Sequence, residues 1–346
     1  MKKYFLFIEM DLFVVCRIIL IHITILQSAA PKARIRFRNE SVKVFIQKEK
    51  EIMECMENEY LKVEISGHGA ELSRIYDKKK QHEVIWCADP AYWNRHAPVL
   101  FPFVGKVTNG AYRYQKESYP MGQHGFARDM EFTLQDRGND FITFVLQANE
   151  QTRKVYPFDF TLSVTHRLKE NCLTVEWKVR NESQTDPMYF SIGGHPAFNC
   201  PADKDALKTD YYIVFENRTN LQYVLIDPAA ELVDQETKHT LSTENGFVQI
   251  SEALFAHDAL IFDNGQVQKA SIYYPDKTPY VTLTCTGFPS FGLWSKPNAN
   301  APYVCLEPWI GRCDNKGFTG ELPDKYEEQK LEAGSAFQTS YQITVQ

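Results

Sequence analysis

Phe160-Thr161-Leu162-Ser163-Val164-Thr165-His166-Arg167-Leu168 runs into Lys169-Glu170-Asn171 and then into Cys172-Leu173-Thr174-Val175-Glu176-Trp177-Lys178-Val179. Apolar side chains fall on every second position on both sides of a short polar break. A period of two places Phe160, Leu162 and Val164 on one face of an extended chain and Thr161, Ser163 and Thr165 on the other, whereas an amphipathic helix needs a period of 3.6. The stretch predicts a β-hairpin with one buried face. The same pattern recurs outward from it, in Tyr60 to Ile65, Phe141 to Leu146, Tyr211 to Phe215, Ala270 to Tyr274, Tyr280 to Cys285 and Gln338 to Val345. Helical periodicity is nearly absent. Many strands with Gly, Pro, Asn and Asp turns, and no alternation of strand with helix, predict an all-β protein of sandwiched antiparallel sheets rather than a doubly wound or barrel α/β fold.

With 346 residues, 44% hydrophobic and 13% aromatic, the chain can bury a large core and line a pocket with aromatic rings. The formal net charge is −6 and the basic residues are scattered, which argues against nucleic acid as the main partner. Eight cysteines lie far apart with no C-x-x-C pair, so the spacing indicates neither a zinc site nor a small disulfide framework. Reduced thiols in a cytoplasmic protein are the simpler reading.

The N-terminus stands apart. Tyr4 to Ala30 is apolar after Lys2-Lys3, but Glu9, Asp11 and Arg17 interrupt it, and the uncharged stretch Ile18 to Pro31 is too short to span a bilayer. The sequence therefore ranks an upstream mis-assigned start first, a weak export segment second and a membrane anchor well below both. Residues 1–55 are expected to be an extension outside the fold, and residues 56–346 one domain.

Three short segments carry the chemistry: Gln123-His124-Gly125-Phe126-Ala127-Arg128, Gly193-Gly194-His195-Pro196-Ala197-Phe198 and Leu306-Glu307-Pro308-Trp309. Glu307 sits among apolar and aromatic residues, where desolvation would raise its pKa and make it a usable proton acceptor. The alternative is a strand-edge glutamate facing water. His195 follows two glycines and precedes a proline, so its imidazole is expected on a rigid bend; a turn histidine held by a backbone carbonyl is the ordinary alternative. Two imidazoles and a carboxylate suit proton transfer between a hemiacetal hydroxyl and a ring oxygen.

Taken with Ala97-Pro98-Val99-Leu100-Phe101-Pro102, these segments occur in an order that resembles the aldose 1-epimerase (galactose mutarotase) family, in its short bacterial epimerase-like branch, from about Met56 to the C-terminus. The resemblance implies a large twisted antiparallel β-sandwich, an isomerase interconverting the α and β anomers of a hexose such as glucose or galactose, and no cofactor or metal. It implies Glu307 and a charged His195 as the catalytic base and acid. It further implies His124 and Asp258 as sugar-binding groups, with Asp263 a nearby competitor for the latter role. Lys106 stands where the family usually has arginine, so the planar fork for sugar hydroxyls is lost, and Arg95 and His96 in Trp93-Asn94-Arg95-His96 are the residues expected to compensate. Arg128 and Asp129 read as a local salt bridge. Two other readings stay open: a non-catalytic carbohydrate-binding or sensing protein, and an epimerase of hexose 6-phosphates, for which Lys106, Arg95 and Arg128 are the cations at hand.

Overall fold

The computed structural model describes residues 53–346 other than 204, 217 and 218, together with two short strands before them. The chain divides into two compact units, Met1–Glu51 and Ile52–Gln346. In the first, Ala33–Arg34 pairs antiparallel with Gln47–Lys48. The apolar run Tyr4 to Ala30 lies outside the described residues. Among those described, no helix is long and apolar enough to cross a membrane.

The second unit is a stack of antiparallel sheets. Nine strands make the larger sheet, in the order Thr133–Arg137, Phe141–Gln147, Phe160–Lys169, Cys172–Asn181, Ala336–Val345, Pro279–Thr284, Lys269–Tyr273, Tyr212–Phe215 and Phe247–Gln249. The hairpin expected from sequence forms at its centre, with Phe160 opposite Asn181 and Lys169 opposite Cys172. Its period-two pattern has the anticipated effect: Phe160, Leu162, Val164, Leu173, Val175, Trp177 and Val179 are all buried. A second sheet runs Leu232–Ser242, Asn220–Asp227, Leu260–Phe262, Ser290–Trp294, Tyr303–Ile310, Ile192–Gly194 and Val99–Leu100, with Ala197–Asn199 also paired to Tyr303–Ile310. Val304, Leu306, Phe291 and Leu293 from this sheet share one core with the hairpin's apolar face.

The unit also has a four-stranded sheet, Met53–Glu57, Leu61–Ser66, Leu72–Asp77 and His82–Glu83, and two strand pairs, Ala111–Tyr114 with Glu117–Pro120 and Met188–Phe190 with Gln329–Leu331. In the four-stranded sheet the strand Met53–Glu57 comes first. Its first strand begins three residues before the expected boundary at 56. Met53 pairs with Ser66 and Cys55 with Glu64, and Glu54 forms an ion pair with Arg137 of the larger sheet. Residues 53–55 are therefore part of the sheet rather than of an extension; Met53 and Cys55 point outward, so the apolar alternation that marks other strands is missing here. The α-helix among the described residues is Glu150–Val155, capped by Asn149. None of the seven described cysteines is in a disulfide; Cys200, Cys285, Cys305 and Cys313 are buried, while Cys55 and Cys87 are exposed.

Candidate active site

The strand Tyr303–Ile310 is buried at every position. Alternation sends Val304, Leu306 and Ile310 into the inter-sheet core and Tyr303, Cys305, Glu307 and Trp309 to the opposite face. Along its edge, Gly193 pairs with Trp309 and Ala197 with Cys305, so the neighbouring chain breaks its ladder at His195 and Pro196, directly across from Glu307. Pro308 has no N–H to donate, which removes one ladder bond at the break. Glu307 and His195, 112 positions apart in sequence, are thereby brought together with Nε2 of the imidazole 3.2 Å from Oε2 of the carboxylate.

Gly193 and Gly194 do not supply unusual backbone angles, as expected from sequence, since neither has positive φ. They supply room. A Cβ on Gly193 would lie 2.7 Å from the Trp309 ring, and one on Gly194 would lie 3.1 Å from the Tyr341 hydroxyl. Larger residues would push the strand carrying His195 away from its neighbours.

The His195–Glu307 pair is dry. Glu307 is 1% exposed and His195 7%. Trp93 lies over the His195 ring with centroids 4.7 Å apart, and Trp294 meets its edge at 5.5 Å. Burial, reinforced by the Asp258 carboxylate, holds the Glu307 carboxyl well above its ordinary range, with Trp309 acting weakly the other way. Burial also pushes His195 down to about 3, and the Arg128 and Arg95 charges add to this. Both effects disfavour charge. Burial thus favours the neutral form of each group, against the charge that the expected acid role of His195 requires. Oε2 of Glu307 and Nδ1 of His195 make no hydrogen bond, so the 3.2 Å approach is a contact awaiting a better-aligned partner.

His124 is buried rather than exposed on a turn. It adopts φ +67°, and Gly125 follows at +69°, with its α-hydrogens against the Phe101 carbonyl; a Cβ there would be 2.3 Å from that oxygen. The His124 backbone N–H donates to the Gly105 carbonyl at 2.8 Å, and the Gly105 N–H donates to Nδ1 of His124 at 3.0 Å. An accepting Nδ1 fixes the neutral tautomer, with its proton on Nε2. Burial, with the charges of Arg128, Arg95 and Lys106 adding to it, holds the His124 imidazole well below its ordinary range. Its ring centroid is 5.7 Å from that of His195.

The other expected residues surround this centre without touching the pair. Asp258 is exposed, in a tight turn at φ +70°, and acts on Glu307 through its charge. Asp263 is instead bound to the buried Arg312 at 3.0 Å, which removes it from competition. Lys106 is paired with Glu231 at 2.7 Å, and Arg95 with Asp129 at 2.7 Å. Because Arg95 takes Asp129, the expected Arg128–Asp129 bridge is stretched to 3.8 Å. Arg128 donates to the Gln123 carbonyl at 2.7 Å, while its buried Nε has no partner and desolvation brings its pKa down to about 10. Sequence reasoning treated Arg128 as local scaffolding and passed over Trp93 and Trp294, although Tyr92-Trp93-Asn94-Arg95 already placed rings next to a cation. Cys305 was also passed over: its Sγ, Nε2 or Nδ1 of His195 and a Glu307 oxygen lie within 4.8 Å of one another, a group able to hold a metal ion.

Comparison with known proteins places this geometry in context. The aldose 1-epimerase family model matches residues 54–321. The plasmid protein LacX of Lactococcus lactis subsp. lactis is 30% identical over 295 residues, 84% of this chain and 98% of the relative. A galactose mutarotase related enzyme from Lactobacillus acidophilus superposes with a TM-score of 0.80 at 36% identity, covering 85% of this chain and 97% of that one. A galactose mutarotase-like protein from Lactobacillus casei ATCC 334 gives 0.78 at 32% identity, covering 85% and 100%.

Proposed function

Since the chain belongs to the aldose 1-epimerase family, we propose that it interconverts the α and β anomers of a free hexose by acid–base ring opening at Glu307 and His195. The observation that carries this reading is the dry 3.2 Å approach of Nε2 of His195 to Oε2 of Glu307, in surroundings that disfavour charge on both groups. Ring opening needs one proton taken from O1 and one given to the ring oxygen. A pair holding a single proton can do both without a net gain or loss.

Burial rests that proton on Glu307. When sugar hydroxyls enter and solvate the carboxylate, the proton crosses to Nε2 of His195. Glu307 then accepts the O1 proton as the C1=O1 bond forms, and His195 delivers its proton to the ring oxygen as the C1–ring-oxygen bond breaks. Rotation about C1–C2 presents the other face of the carbonyl, and reclosure with the roles reversed gives the other anomer. Nothing is oxidised or reduced. His124 has one N–H to offer, on Nε2, and donates it to the sugar; Asp258 accepts from sugar hydroxyls at the edge of the site. Trp93 and Trp294 exclude water from the pair and offer apolar faces to the ring.

A free hexose is favoured over a phosphorylated one because two of the three cations are already neutralised, Lys106 by Glu231 and Arg95 by Asp129. Arg128 alone keeps an unpartnered buried N–H. Polarimetry of freshly dissolved α-glucose, α-galactose and α-glucose 6-phosphate, with and without protein, tests the assignment. Acceleration of either free sugar above the phosphate supports it. Acceleration of the phosphate alone transfers the reading to hexose 6-phosphates, and none with any substrate favours a sugar-binding protein.

A further inference from the structure

Cys305 has no part in ring opening, yet it shares a face with Glu307. Positions two apart on one strand project to the same side, and Tyr303–Ile310 places Cys305 one pleat from the carboxylate, opposite Ala197 and beside the break that holds His195. Thiol, imidazole and carboxylate offer donor atoms all within 4.8 Å of one another. Tetrahedral zinc with nitrogen and oxygen ligands at their usual bond lengths needs an N···O edge of about 3.3 Å. The His195–Glu307 edge is already 3.2 Å. Oε2 of Glu307 is shut from water and, although it faces Nε2 of His195 at 3.2 Å, makes no hydrogen bond.

We propose that His195, Cys305 and Glu307 form a binding site for a borderline-soft divalent cation, Zn²⁺ being the best match, and that cation and sugar exclude each other there. Three protein ligands of N, S and O type leave a fourth position for water, a set that suits Zn²⁺ and excludes Mg²⁺ and Ca²⁺, which require oxygen ligands. Binding releases the Cys305 thiol proton and the Glu307 carboxyl proton to solvent, while His195 contributes a neutral lone pair. The bound ion then holds the lone pairs that ring opening uses, so it acts as an inhibitor and not as a cofactor. Sequence spacing hid the site because Cys305 and Glu307 come from one strand and His195 from the break beside it, and no C-x-x-C or paired histidine announces it.

The binding claim is independent of the anomer reading, and its test begins without sugar. The metal-free full-length protein is titrated with Co²⁺ as a spectroscopic probe and then with Zn²⁺ in competition. Expected are an intense thiolate-to-cobalt band in the near ultraviolet, the visible spectrum of a four-coordinate ion, and displacement by Zn²⁺ but not Mg²⁺. Cys305→Ala should abolish the thiolate band and weaken Zn²⁺ binding by about 100-fold, at the upper end of what losing even an outer-shell partner costs. Glu307→Gln should weaken it comparably and serves if Cys305→Ala does not fold. A thiolate band that persists in Cys305→Ala would assign the metal to other thiols, such as the exposed Cys55 or Cys87, and overturn the site. Equal Zn²⁺ affinity in wild type and in the available variant would overturn it as well. Galactose should raise the apparent dissociation constant for Zn²⁺; failure of this arm alone, with the cobalt spectrum as expected, removes the mutual exclusion and leaves the sugar assignment to polarimetry.

Discussion

Glu307 and His195 are each unremarkable until placed opposite one another. Glu307→Gln keeps the shape of the carboxyl and cannot take a proton, and His195→Asn cannot give one. Each is expected to lower kcat for mutarotation by roughly 10²–10⁴-fold, the usual contribution of a positioned acid or base, with the melting temperature nearly unchanged. The double variant should lose less than the product of the single losses, because one transfer is of little use without the other. Near-normal polarimetric rates in folded Glu307→Gln would rule out the mechanism. The pH profile of kcat/KM should follow the pair's proton count. It falls in acid only as His195, held at about 3, takes a second proton, and falls in alkali as the raised Glu307 carboxyl loses the first. An acid limb near the ordinary histidine value of about 6.5 would show that burial does not govern the site. Lys106 makes a different prediction. It acts on His124 through its charge while tied to Glu231, so Lys106→Ala should raise KM and leave kcat within a factor of about two. Initial-rate measurements separate the two; a large fall in kcat at unaltered KM would place Lys106 in the chemistry.

At the level of single strands, period-two burial explains both the successes and the omission of the sequence reading. Phe160–Lys169 and Cys172–Asn181 alternate fully, buried against less buried, and were legible. Met53–Glu57 has a single buried residue, Met56, and was not. Its contribution lies in backbone pairing with Leu61–Ser66 and in the Glu54–Arg137 ion pair, neither of which leaves a mark on hydrophobicity. A chain beginning at Met53 should therefore match the full chain in thermal stability. One beginning at Met56 loses three of the strand's residues and the ion pair, an expected loss of about 1–2 kcal/mol. In a domain of this size that lowers the melting temperature by several degrees, with mutarotation unimpaired because the site lies on another sheet. Identical melting curves for the two shortened chains would show that the strand contributes nothing.

Across the whole molecule, the sequence carries the class of fold and the chemistry of the site more clearly than the site's shape. Strand alternation is a local property, and so are the segments around His124, His195 and Glu307. The distance from His195 to Glu307 is not, since it depends on where a neighbouring strand breaks its ladder. Nor is the reason for Gly193 and Gly194, which is the bulk of Trp309 and Tyr341 from remote strands. Long-range packing also explains a half-buried acid that no motif announces. Glu328 accepts a hydrogen bond from the Ser191 hydroxyl at 2.7 Å, on the segment leading to Gly193, Gly194 and His195, while its other oxygen is buried without a partner. Burial raises its carboxyl from 4.5 to about 7, with Lys325 partly offsetting the effect. A folded-state pKa above the unfolded one means that the native state binds the proton more tightly. The associated stability is fully present below about pH 4.5 and is lost as pH rises through 7. Thermal melts of wild type between pH 5 and 8 should thus show a decline, of about 1–3 kcal/mol attributable to this group, that is absent from Glu328→Gln, in which an amide stands where the protonated acid stood. Parallel melting curves for wild type and variant across that range would mean that water reaches Glu328 and that its link to the His195 strand carries no dependence on pH.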